Sequence, residues 1–286
     1  MLYILLSVLL NASLFIIFKL FDKFKINTIQ AIVINYYVAF GVAYYASDVN
    51  FSITKTPYED WFLGTVFLGF LFITLFYVMG LTAQKLGMSV VAVASKMSVV
   101  IPVLVGIIIY KESIGIYKII GILLALIAVY YTSHKENKAL NKAYFYLPLV
   151  LFFGSGVLDT TLNYIQTTYV AANETSVYLS TIFLVAGILG SVFLLLFFLA
   201  KKTALDFKSV IAGIVLGIPN YFAMYFLLKA LQTDLDSSTI FTVNNVAIVL
   251  FSAVLGLLLF KEQLSKKNII GIGLAIISII LITLSI

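Results

Sequence analysis

"IIIYKESIGIYKIIGILLALIAV" occupies residues 107–129, and "LLLFKEQLSKKNIIGIGLAIISI" occupies residues 257–279. Laid over one another without a gap, at an offset of 150 residues, they share Lys111/Lys261, Glu112/Glu262, Ile119/Ile269, Ile120/Ile270, Gly121/Gly271 and Ala125/Ala275. In each, a long apolar stretch runs into a Lys-Glu turn and then into a second apolar stretch. A weaker echo relates Gly69 and Tyr77 to Gly217 and Tyr225. Segments rich in Ile and Leu match one another easily by chance. Ungapped Lys-Glu and Gly pairs do not, so the chain reads as an internal repeat.

The composition identifies the solvent. The 286 residues are 63% hydrophobic and only 10% charged, with a mean hydropathy of +1.13. A soluble domain is about half apolar and about a quarter charged. One water-soluble core could not hide this much apolar surface, so lipid is the expected solvent. A spanning helix needs about 20 mostly apolar residues. That rule gives ten segments: 2–20, 28–47, 61–82, 88–110, 115–132, 145–169, 176–199, 208–230, 237–260 and 268–285. Helices are required, because an open sheet edge in lipid leaves backbone groups unsatisfied. The N-terminal "MLYILLSVLLNASLFIIF" lacks a positive leader and a clear cleavage site, so it is expected to be a retained first helix.

The expected fold is therefore an all-α integral membrane protein of about ten transmembrane helices. Residues 1–132 form one five-helix repeat, 133–143 a connecting loop, and 144–286 the second repeat. Five is odd, so the second repeat enters the membrane upside down. Inverted repeats suit alternating access around a site near the membrane midplane.

Two five-helix halves, each with an apolar helix, a turn reading "YKES" (110–113) or "FKEQ" (260–263) and an "IIGI" helix, resemble the EamA-type branch of the drug/metabolite transporter superfamily. The resemblance covers the whole chain and implies architecture more than substrate. It implies a secondary-active carrier that exports or exchanges small metabolites such as amino acids, multi-pass in a bacterial inner or plasma membrane. A sugar or drug carrier of the same superfamily is the alternative within that class.

Lysine placement and the resemblance pull apart on orientation. All 18 basic residues are lysines. Thirteen (Lys19, Lys23, Lys25, Lys85, Lys135, Lys138, Lys142, Lys201, Lys202, Lys208, Lys261, Lys266 and Lys267) fall in connections on one face. Four (Lys55, Lys111, Lys118 and Lys229) fall on the other. The positive-inside rule puts the lysine-rich face in the cytoplasm and both termini outside. The resemblance implies both termini inside. The net charge of +6 follows from these connections and points to the bilayer rather than to nucleic acid.

Two charges lie well inside a span: Lys96 in segment four and Asp159 in segment six. A charge near the centre of a membrane helix costs about 2.5–3.5 kcal/mol on insertion scales. Lys96 sits about 12 Å from the near end of its segment, beyond easy snorkelling, and Asp159 lies about 9 Å deeper. A structural Lys96–Asp159 ion pair is one reading. Helix ends placed a few residues differently are another. A water-filled cavity lined by one or both is favoured by segment six, where Ser155, Asp159, Asn163 and Gln166 share one face.

Other polar positions join them. Asn244 and Asn245 lie in segment nine, where the offset matches Ser95 and Lys96 to Asn245 and Val246. Asn220 and Tyr221 follow Pro219 in segment eight, Ser7 and Asn11 share a face of segment one, and Asn35 lies in segment two. Pro102 is the expected flexing point of segment four. The candidate substrate-binding set is thus Lys96, Asp159, Asn163, Gln166, Asn11, Asn220, Tyr221, Asn244 and Asn245. Lys96 would meet a carboxylate; Asp159 would meet an amine or a coupling proton, since burial raises a carboxyl pKa. The Lys-Glu turns read as anchors of helix ends.

Other classes fit less well. Cys is absent, the one His is His134 in a connection, and no HExxH or Gly-x-Ser-x-Gly motif occurs. An enzyme is not expected, nor a cofactor or metal site. A non-transporting membrane scaffold would leave the polar interior unexplained. The expected partners are a small-molecule substrate, possible coupling protons and the lipid bilayer. Two fused halves allow a complete carrier as a monomer or a homodimer.

Overall fold

The computed structural model describes residues 1–46, 55–109, 115–133, 143–171, 174–201, 205–231, 233 and 237–284. They form α1 (Leu2–Lys23), α2 (Thr28–Ala46), α3 (Phe62–Lys85), α4 (Met88–Met97), α5 (Val100–Ile109), α6 (Ile116–Ser133), α7 (Tyr146–Tyr169), α8 (Thr175–Lys201), α9 (Phe207–Leu231), α10 (Ser237–Phe260) and α11 (Lys266–Thr283). A 3-10 turn, Thr56–Tyr58, precedes α3. No strand occurs among the described residues. The first Lys-Glu turn (110–114) and most of the central loop (134–142) lie outside them.

Among the described residues, seven helical stretches are long and apolar enough to cross a membrane. They are Leu2–Lys23, Phe62–Lys85, Met88–Val105, Thr175–Leu196, Phe207–Leu227, Val243–Phe260 and Lys266–Thr283. The apolar α6 falls short in length. Gln30, Asn35 and four tyrosines dilute α2, and the polar face with Asp159, Asn163 and Gln166 dilutes α7. The ten expected segments all appear as helix, but this apolar criterion does not admit ten.

The expected continuous helix over 88–110 is corrected. It breaks into α4 and α5 at Ser98–Val99. Pro102 is the cause, acting four residues upstream of itself. It has no N–H to give the Ser98 carbonyl, and its ring crowds that carbonyl. The Ile101 N–H takes the Ser98 carbonyl instead, at 2.9 Å, a tighter turn than α. Pro219, by contrast, lies inside a continuous α9.

Packing divides the chain into two compact units. One comprises Met1–Leu20, Val78–Val157 and Phe222–Ile286; the other comprises Phe21–Tyr77 and Leu158–Tyr221. Each draws on both halves of the sequence. In the first, α6 packs on α11 and α4 on α10; in the second, α2 packs on α8. Under the repeat, these are the fifth, fourth and second helices of the two halves.

The α6–α11 contact reverses on itself. Gly121 faces Ile282 and Ser278, while Gly271 faces Thr132 and Ala128. Residues 121, 128 and 132 lie 150 before 271, 278 and 282, so one contact is the other with the two helices exchanged; the start of each helix meets the end of the other, so they run antiparallel. A Cβ on Gly271 would stand 2.9 Å from the Thr132 nitrogen and 3.0 Å from the Ala128 oxygen, so only glycine permits this approach. Small residues let membrane helices gain dispersion contact through close backbones. The Ser278 hydroxyl adds a 2.7 Å bond to the Gly121 carbonyl. The α2–α8 contact in the other unit is antiparallel too, with Gly187 against Tyr37 and Gly190 against Val33. There Tyr36 is wholly buried, with rings of Phe72, Phe76 and Phe183 around it. Its hydroxyl donates to the Phe72 carbonyl at 2.8 Å, which satisfies the one polar atom that the ring carries inside.

Candidate functional site

The break that Pro102 causes answers how Lys96 is tolerated. It places Lys96 in the last turn of α4, where free carbonyls concentrate negative potential and favour a cation. The same chain inside an unbroken helix would not gain that. Lys96 is half-buried, while Val90 through Ala94 are buried. The adjacent hydroxyls serve the backbone: Ser95 Oγ donates to the Val91 carbonyl at 2.8 Å and Ser98 Oγ to the Ser95 carbonyl at 2.6 Å. Both are spent locally, which softens the end of α4 further.

On α10, which packs on α4, Asn244 is 1% exposed and its Oδ1 has no hydrogen-bond partner. A buried acceptor left open costs about 1–3 kcal/mol, so this carbonyl is a place where a donor would be gained. Asn245 beside it is half-buried. The Ser252 hydroxyl, two turns on, is likewise buried and unpartnered.

The other candidates separate by role. Asn11 turns its amide back onto the Ser7 carbonyl at 3.0 Å, and Ser7 Oγ bonds the Ala223 carbonyl at 3.0 Å. Asn220 donates to Asn35 Oδ1 at 3.2 Å, joining α9 to α2, and Tyr221 is buried. The Asn220 amide joins two helices, whereas the Asn11 amide is spent within α1. On α7, Asp159 and Asn163 are exposed and Gln166 is half-buried, so the polar face is open rather than packed into the unit. Lys96, Asn11, Asn244 and Asn245 belong to the first unit; Asp159, Asn163, Gln166, Asn220 and Tyr221 belong to the second.

A cluster absent from the candidate set is built around Glu262. Its side chain is 8% exposed, with Lys19 Nζ 3.1 Å from Oε1. Both carboxylate oxygens lie 3.2 Å from the Met88 N–H, the first residue of α4. Glu262 thus caps a helix of the other half, as a carboxylate suits the positive N-terminal end. The second Lys-Glu turn does anchor a helix end, but the end is that of α4. The spacing of residues 19, 88 and 262 gives no sequence signal; only the fold joins them. In the other unit Asp206 caps α9 through the Lys208 N–H at 3.2 Å, and its own N–H meets Gln30 Oε1 at 2.9 Å.

The chain matches the EamA-like transporter family over residues 1–134 and 165–284. A protein from Haemophilus influenzae (strain ATCC 51907 / DSM 11121 / KW20 / Rd), described only as uncharacterized, is 27% identical over 277 residues, covering 93% of this chain and 92% of its own length. A crystal structure whose description names no activity is similar with a TM-score of 0.62 at 13% identity, over 99% of this chain and 97% of that one. That likeness concerns the fold alone.

Proposed function

We propose that this chain, a membrane protein that belongs to the EamA-like transporter family, is a secondary-active carrier of a small polar metabolite in the cell membrane. The substrate class is an amino acid or related organic acid, moved by alternating access in export or exchange. The observation that carries the reading is the antiparallel packing of equivalent helices, α6 with α11 and α2 with α8, through contacts related by the sequence repeat. Such an arrangement gives each half a partner of opposite orientation, which is what exchange of two access states requires.

In the first unit, substrate recognition falls to Lys96 at the end of α4 and the open Asn244 carbonyl with Asn245; in the second, the polar face of α7 with Asp159, Asn163 and Gln166 is a separate recognition surface. Lys96 supplies a cation for a carboxylate. Asn244 Oδ1 accepts from a substrate donor, and Asp159 takes an amine or a coupling proton.

Ligand-induced thermal stabilisation of the purified protein tests this. A ligand present at about 100 times its Kd stabilises the folded state by about 2.7 kcal/mol. Amino or organic acids are expected to raise the Tm, and Lys96→Ala, itself folded, is expected to lose that rise. Asp159→Asn is expected to lose the response to amines selectively. A response confined to sugars or nucleotide sugars would replace the substrate class. No response to any class, with both variants merely melting early, would remove the site.

A further inference from the structure

The fourth helix is a ten-residue rod with a joint at each end. At its start Gly87 adopts φ +110°, a conformation that glycine takes freely and other residues rarely do. At its far end the rod stops at the Ser98–Val99 break beneath Pro102. The rod is buried against α10, α6 and α11, and the side chain that bonds its first N–H is Glu262. Glu262 accepts from the Met88 N–H and pairs with Lys19, and Lys19 Nζ also donates to the Ala83 carbonyl at 3.2 Å. Lys261 sits at φ +49°, turning the chain so that the Glu262 N–H meets the Gly256 carbonyl at 3.0 Å. One carboxylate therefore ties the ends of α1 and α3 and the start of α4 to the α10–α11 turn.

A permanent junction does not need that charge. Taking a carboxylate out of water costs several kcal/mol, and an apolar replacement of a buried pair is often no less stable. The α6–α11 seam is built from close glycine contacts and uncharged hydrogen bonds. Charge at one side of a jointed rod instead suits a contact that breaks into water and re-forms.

We propose that Glu262 is a releasable latch on α4. On release, the rod swings about Ser98–Val99 and its Met88 end opens to water. Lys96, two residues from the pivot, keeps its place, so the latch governs access to that lysine rather than the lysine itself. The purpose rests on the carrier reading, but the motion is measured without transport, so failure of one leaves the other standing.

The chain has no cysteine, so one introduced thiol reports alone. Ser89→Cys replaces a buried hydroxyl that has no partner, next to the latched residue. Thr132→Cys, made separately, places a thiol in the α6–α11 seam, where Thr132 is 1% exposed. Maleimide labelling of Ser89→Cys is expected to be slow in the parent and about tenfold faster with Glu262→Gln, equivalent to about 1.4 kcal/mol. Lys19→Met keeps the cap and removes the ion pair together with the bond to the Ala83 carbonyl, so it is expected to fold and to label about threefold faster. It reads the latch even where Glu262→Gln fails to fold. Thr132→Cys is expected to stay at its parent rate in both backgrounds. Unchanged Ser89→Cys labelling in the folded variants would overturn the latch, as would equal acceleration at Thr132→Cys, which would mean general loosening.

Discussion

The α6–α11 seam and the start of α4 are two ways of joining helices from opposite halves of the sequence. The seam is reciprocal: each helix offers a glycine to the other, at positions 121 and 271, and receives a side chain 150 residues from the one it supplies. Nothing charged takes part in those contacts. The start of α4 is buried among its neighbours, and its first N–H is met by a carboxylate paired with an ammonium. The matching turn of the first half carries Glu112, outside the described residues, but the position matching Gly87 is Ser237. The difference is physical. Close backbone packing in lipid is maintained by dispersion over many atoms and has no cheap intermediate. A charged contact near a helix end can exchange its partners for water.

That contrast can be broken from the seam first. Gly271→Val should have the largest effect. Its branched side chain meets Thr132 and Ala128 backbone atoms that cannot step aside, so a loss of about 3 kcal/mol or more is expected. Thermal unfolding in detergent reads this, and an unchanged Tm would mean that the two helices are not locked.

Gly87→Ala comes next. The added Cβ would lie 2.8 Å from Glu262 Oε2 and would force an L-residue to φ +110°, costing about 1–3 kcal/mol. Made in a Glu262→Ala background, it should cost only the backbone part. A double-mutant cycle with zero coupling would show that the carboxylate does not press on that turn.

Asn268→Ala should follow. Asn268 completes a capping box with Ser265 and donates to the Thr132 carbonyl at 2.8 Å, so about 1 kcal/mol is expected to go. Asn268→Lys sharpens the comparison, because the matching first-half residue is Lys118, 4% exposed. A lysine suits helix C-terminal carbonyls, so it should recover part of the Tm that alanine loses. The smallest effect belongs to Ser278→Ala, which removes one bond to the Gly121 carbonyl. Polar contacts between membrane helices average about 0.6 kcal/mol, and a Tm shift larger than that of Asn268→Ala would reverse this ranking.

Much of the fold was legible in the residues. Because lipid requires each backbone bond to close within its own segment, apolar length placed helix in each expected segment, but it merged α4 with α5. The ungapped Lys-Glu and Gly matches paired residues 107–129 with 257–279, which include most of the α6 and α11 helices that pack together. Legibility stopped at local chemistry that acts at a distance along the chain. The effect of Pro102 appears at Ser98, so the segment was read as one helix, and the favourable last-turn setting of Lys96 went unseen. Polar residues inside spans stood out as a class. Their sequence positions did not separate Asn220, spent on Asn35, from Asn244, whose carbonyl is open.

By itself the sequence determined the solvent, the helical class and the family, since each depends on composition or spacing along one strand of chain. The tertiary structure alone decided which polar groups are satisfied and what Glu262 does. Those outcomes depend on which helix end lies beside which. Residues 19, 88 and 262 become neighbours only when three separate connections bring their helices together.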